Sequence, residues 1–144
     1  MGYVKSVIRM EKKVIIKKLM LTFVVSLLSL TSFAQDTNDY FVRGAKVYIE
    51  SNNENVIEHS NDKILLWGYW KTVNSIEQAD FILNLDANFS IFYTISAQAI
   101  TKDNRIIKRF KSKNSFRSLD ANPKRGAVKA LFDREIIPFV HGLY

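Results

Sequence analysis

The chain has 144 residues, 21 Lys and Arg against 14 Asp and Glu, and a formal net charge of +7. It has no cysteine, which excludes disulfides, a thiolate nucleophile, a zinc–cysteine centre and a lipid-carrying cysteine. The basic balance points to an anionic partner, but its distribution along the chain changes that reading.

Residues 1–34 hold six bases (Lys5, Arg9, Lys12, Lys13, Lys17, Lys18) and one acid, Glu11. They end in the apolar run LMLTFVVSLLSLTSFA, from Leu19 to Ala34. A basic segment, a short apolar core and small residues at Ser32 and Ala34 predict a secretory signal peptide. Cleavage after Ala34 would make Gln35 the new N-terminus. The run falls short of the roughly 20 residues that span a bilayer, an uncleaved anchor being the alternative. Met10 is a second candidate start, because MEKKVIIKKLMLTF already forms a complete basic segment. Residues 35–144 then form one domain of 110 residues with 15 bases and 13 acids, net +2, long enough for a core without staples. No transmembrane helix is expected in it. The predicted address is the periplasm or outer envelope of a Gram-negative bacterium, or the medium.

Gln35 to Asp39 reads as a polar, frayed leader. Ala45–Glu50 alternates, with Val47 and Ile49 on one face, and predicts a strand. A helix follows that ends at Trp67, with Ser51 and Glu54 at capping-box spacing. Its start falls anywhere from Asn53 to Asn61, because His59–Lys63 interrupts the apolar stripe. Gly68 stands where a left-handed C-terminal cap belongs. Tyr69–Val73 has strand composition. Phe81, Leu83, Leu85, Ala87 and Phe89 share one face of a long period-two segment that runs on through Ile91 to Ala99; a bend or tight connection is expected near Asn88–Phe92. Asp103-Asn104 suits a hairpin turn with positive φ, and Arg105–Lys113 the partner strand. Asn122 and Pro123 open a last helix as N-cap and N1. Ala127, Val128, Leu131, Phe132 and Ile136 make its apolar stripe, Pro138 is expected to stop it, and the tail to dock by Phe139, Val140 and Tyr144. This order predicts an α+β fold: an antiparallel sheet of four to five strands with two helices packed on one face.

Trp67-Gly68-Tyr69-Trp70-Lys71-Thr72-Val73, followed by Ala79-Asp80-Phe81-Ile82-Leu83, resembles a pattern in small exported bacterial proteins of unknown function. The layout from Lys46 to Pro138 is similar to that of DUF4136-type lipoproteins and the N-terminal domain of the TolB type. The resemblance implies an envelope address and an assembly or accessory role. It carries over no site residues, and the missing lipobox cysteine departs from the lipoprotein members.

Among constellations, His59 with Glu58 and Asp62 is the nearest approach to a metal set, yet no histidine spacing supports one, and a solvated loop is the simpler reading. No metal or cofactor is expected. No G-x-S-x-G elbow and no phosphate-cradling glycine loop occurs, so no catalytic residue is assigned. Tyr69 or Trp70 offers an aromatic surface candidate, against core packing as the plainer account. Asp80 can accept from nearby backbone N–H groups. The marked anomaly is charge: residues 35–100 hold four bases and nine acids, net −5, and residues 101–144 eleven and four, net +7. Regular alternation would put Arg105, Arg109, Lys111 and Lys113 on one strand face. Lys124 and Arg125 add cations at a helix start, where the dipole disfavours them. A solvated edge face guarded by lysines explains this charge. The functional alternative is a non-catalytic module that binds a protein or an anionic envelope component: lipopolysaccharide, acidic lipid or wall polymer. The address and the lack of interleaved stacking aromatics argue against nucleic acid. The other class is a small carbohydrate-binding protein or hydrolase using Tyr69, Trp70 and nearby carboxylates.

Overall fold

The computed structural model describes residues 9–18, 37–90, 92–116 and 121–144, with the side chain of Phe116 left aside. The chain divides into two units, Met1–Asp36 and Thr37–Tyr144. In the first, residues 9–18 are helical and exposed. The expected apolar signal core and the Ala34–Gln35 cleavage point lie outside the described residues. No described helix is long and apolar enough to cross a membrane.

The second unit begins with a 3-10 turn, Thr37–Tyr40, in place of the frayed leader. The turn delivers Phe41 into the core, where its ring meets Trp70, Phe81 and Phe139. Strand β1 spans Lys46–Ser51 and alternates as its sequence requires, burying Val47 and Ile49. Helix α1 spans Glu54–Trp67. Its N-cap is Asn53, whose side chain accepts from the Asn55 N–H; Ser51 does not cap the helix but accepts from the Asn53 N–H at 3.2 Å. The buried stripe is Val56, Ser60 and Ile64, one residue per turn. It runs through the polar segment because serine is small enough to lie against the sheet. At the far end Gly68 adopts φ +67° and its N–H donates to the Ile64 carbonyl at 2.9 Å, as a left-handed cap requires.

Strand β2 is only Lys71–Thr72. A 3-10 turn, Ile76–Gln78, leads to β3, Phe81–Phe89, which turns back directly into β4, Phe92–Ile100. The β4–β5 turn places Asn104 at φ 60°, and β5 spans Ile106–Phe116. Helix α2, Pro123–Leu131, starts with the Asn122 side chain accepting from the Arg125 N–H.

The sheet order is β2-β1-β3-β4-β5. It is mixed, which corrects the expected antiparallel sheet: β1 pairs parallel with both β2 and β3, and only β3-β4-β5 is an antiparallel meander. The parallel pairs follow from the crossovers. Helix α1 carries the chain from β1 to β2, and the Ile76 turn carries it back across to β3, so each new strand starts at the same end as β1. Asp80 anchors that return: its carboxylate accepts from the Lys46 N–H at 2.7 Å, and its own N–H donates to the Lys46 carbonyl at 2.8 Å.

The last helix also differs from expectation. Pro138 does not stop it. Residues Phe132–Ile136 widen into a π turn, and helix α3, Ile137–His141, continues with Pro138 in its first turn. A proline without an N–H is tolerated there because the π turn has already shifted the hydrogen-bond ladder. The described residues of the second unit thus form three helices rather than two. Their apolar stripes pack on one face of the sheet in a single cluster that includes Val56, Ile64, Val128, Leu131, Ile136 and Val140. Among the described residues, every buried member of that cluster lies between Phe41 and Val140, within residues 37–144. The tail docks by Phe139, Val140 and Leu143. The Tyr144 ring is 70% exposed, and its hydroxyl donates to the Asn38 carbonyl at 3.2 Å.

Candidate functional site

With the helices of this second unit on one face, the outward side chains of the sheet form a second face, on which Ile82 and Ile100 are buried while Glu50, Asn84, Gln98 and Arg109 are partly or fully exposed. Register aligns them into rows. Glu50 on β1, Asn84 on β3, Gln98 on β4 and Arg109 on β5 stand side by side across four strands. The Asn84 amide donates to Glu50 Oε2 at 2.9 Å. In the next row Asn52 donates to Asp86 Oδ1 at 3.2 Å and clamps Ala87 by a pair of backbone hydrogen bonds at 3.0 Å each. Asn84, Asp86, Ser96, Gln98 and Arg109 line a depression of about 250 Å³. The ion pairs among the described residues are Lys63–Asp133 and Lys113–Glu135. Arg109 is in neither pair, and Asp86 shares the depression with it. A planar guanidinium recognises carboxylate or phosphate with two parallel hydrogen bonds. The neighbouring amides and hydroxyl offer both donors and acceptors to hydroxyl groups.

Other expected cations do not join this face. Two register shifts interrupt β4–β5, one between Ile95 and Ala97 and one between Ala99 and Ile100. Each adds a residue to β5 and breaks the simple alternation. Arg109 thus pairs with outward Gln98, while Lys113 pairs with inward Ile95 and reaches Glu135 on the helical layer at 2.7 Å. That hydrogen bond holds the Glu135 carboxyl below its ordinary value against a smaller opposing effect of burial, with the Lys111 backbone N–H assisting. Lys111 is exposed in the irregular stretch, and Arg105 lies in the turn before the strand. Lys108 also faces the helices, 4.4 Å above the Phe139 ring. Lys124 sits 5.4 Å above the Phe89 ring. Arg125 lies with His59, Asp62, Leu66 and Lys129 in a groove of about 410 Å³ between α1 and α2. The expected single basic face is therefore split between the two sides of the sheet.

The aromatic candidates also part. Trp70 is 2% exposed and packs edge-on against Phe81 and Trp67, which removes it as a surface platform. Tyr69 is half-buried, stacked on Trp67 at 5.1 Å with His141 beside it. Among the described residues no three His, Asp or Glu side chains gather as a metal-holding group. The residues that sequence reasoning missed are Asn84, Asp86, Ser96 and Gln98. Their outward parity was legible, but their alignment with Arg109 depends on strand pairing and on the bulges.

No family model matches the chain. No curated protein matches it either, so the resemblance to DUF4136-type lipoproteins and TolB-type domains gains no support from a family match. A solved structure similar to this chain is uncharacterized lipoprotein B from Nitrosomonas europaea, at 16% identity over 71% of this chain and 81% of that one, with a TM-score of 0.43.

Proposed function

We propose that the chain is an exported, non-catalytic binding module of the bacterial envelope, and that it takes an anionic, hydroxyl-bearing envelope polymer on the open face of its sheet. The carrying observation is Arg109, set outside the ion pairs of the described residues in a depression that it shares with Asn84, Ser96, Gln98 and a single acid, Asp86. A lone cation among amides gives a carboxylate or phosphate one anchoring point, and the amides read the hydroxyls around it. The buried position of Trp70 weighs against a sugar platform or hydrolase built on the Trp67–Trp70 stretch.

Retention of residues 35–144 on an immobilised polyuronate tests this reading, with phosphatidylglycerol vesicles as a second arm. Wild type should be retained at low salt and released at high salt, and Arg109→Glu should lose at least about tenfold in affinity, roughly 1.4 kcal/mol. Equal retention of wild type and Arg109→Glu would overturn it. Binding to vesicles but not to the polyuronate would replace the polymer by a lipid headgroup.

A further inference from the structure

A second surface lies on the opposite side of the molecule, over the helices. Leu65 and Leu66, in the last turn of α1, are 80% and 78% exposed. Scattered surface leucines need no explanation, but these adjoin an ordered charge pattern. Glu54, Glu58 and Asp62 recur every four residues along α1 and are all exposed. Across the groove, Arg125 and Lys129 have the same spacing on α2 and are exposed as well. Asp62, Leu66, Arg125 and Lys129 line one groove. None of these five charged residues enters either ion pair of the described residues; the helices are joined instead by Lys63 and Asp133 at 2.6 Å.

We infer that the α1–α2 groove is a docking surface for a second copy of this chain. A patch with acids on one rim, bases on the other and Leu66 at the end of the acidic row in the groove lining is complementary to itself. A twofold axis running along the groove lays α1 of each copy over α2 of the other at the same height. Glu58 and Asp62 then meet Arg125 and Lys129 of the second copy, with matched spacing of about 5–6 Å along each helix. Leu66 in the groove lining and exposed Leu65 beside it in the last turn of α1 supply the apolar contact. Two helices roughly 10 Å apart, of 14 and 9 residues and so about 21 and 14 Å long, present a few hundred Å², near the lower limit of a specific interface. The dimer is therefore weak and concentration-dependent. It leaves both open sheet faces outward, so it is independent of the binding reading above and adds avidity to it.

Sedimentation velocity of residues 35–144, which carry the core cluster of the described residues, over a range of about 5 to 500 μM tests the inference, a range that spans weak dimer affinities. A monomer–dimer shift is expected. Leu65→Ser with Leu66→Ser should abolish it while far-UV circular dichroism stays unchanged, because neither side chain is in the core. Glu58→Lys with Asp62→Lys should also abolish it, and adding Arg125→Glu and Lys129→Glu should restore it. A monomer throughout the range, or a dimer indifferent to the leucine pair or to the charge reversal, would overturn the inference. The Arg109→Glu variant should dimerise like wild type, so failure here and failure of the binding reading are separable.

Discussion

Gly68 holds φ at +67° with open space around the position where a Cβ would sit, so the strain of a side chain there is purely that of the backbone. Gly68→Ala should cost about 1–2 kcal/mol in urea unfolding, and Gly68→Asn less, because asparagine tolerates the left-handed region. An equal cost for both would point to a steric cause that the structure does not contain. Glu135 makes a prediction in pH. Its carboxyl is held low chiefly by Lys113, so the folded state favours the ionised form. That stabilisation is fully present above the ordinary carboxylate value, about 4.3. It fades as pH falls through that value and past the lowered one. The stability gap between wild type and Glu135→Gln should thus be open at neutral pH and closed in strong acid. A gap that persists undiminished in acid would mean that Glu135 acts by packing rather than by charge. Local signals of this size were legible in the sequence. Gly68 and the Asn122-Pro123 start each act within a few residues, and the structure places both as expected. Asp80 was legible as an acceptor but not in its partner, since Lys46 lies 34 residues away.

Helix α1 carries its own inconsistency. Ser60 is fully buried between Val56 and Ile64, and its hydroxyl has no hydrogen-bond partner among the described residues. Ser60→Ala removes that unmatched hydroxyl and adds helix propensity. It should raise the urea midpoint, with a gain of about 0.5–1.5 kcal/mol; a loss of stability would reveal a partner for the hydroxyl. Strand β5 shows where element-level reading fails. Period-two counting assigns Lys113 to the same face as Arg109, and the bulge between Phe110 and Lys113 separates them. Nothing in the composition of Ile106–Phe116 announces a bulge, because the extra residues are dictated by the helices that Phe110 and Lys113 must both reach. The same holds for Pro138. Proline ends an ordinary α-helix, but the π turn before it is a response to packing, with Phe132 and Ile136 both buried against the sheet.

For the molecule as a whole, the alternation of β1, β3 and β4 and the two helical stripes made an α+β layer structure legible. The parallel pairing of β1 was not, because pairing direction is decided by which crossover path closes the core, and strand composition is the same either way. Since every core residue among those described lies between Phe41 and Val140, residues 35–144 should unfold in one cooperative transition, with coincident fluorescence and circular-dichroism midpoints. Separate midpoints would mean that the parallel half, β2-β1, and the meander β3-β4-β5 are distinct stability units. The charge asymmetry along the chain also takes a spatial form. Acidic α1 and basic α2 lie side by side across one groove, so the contrast between the two halves of the sequence becomes a pattern on a single face.

The hydrogen bond from the Tyr144 hydroxyl to the Asn38 carbonyl brings the last residue back to the first turn of the domain. The order in which the elements are written along the chain is then separable from the shape they form. A short linker from Tyr144 to Thr37, with new ends opened at the exposed Asp103-Asn104 turn, would give a circular permutant with every core contact retained. The same closeness makes that corner a suitable attachment point for an engineered fusion partner, because Asn38 and Tyr144 meet there.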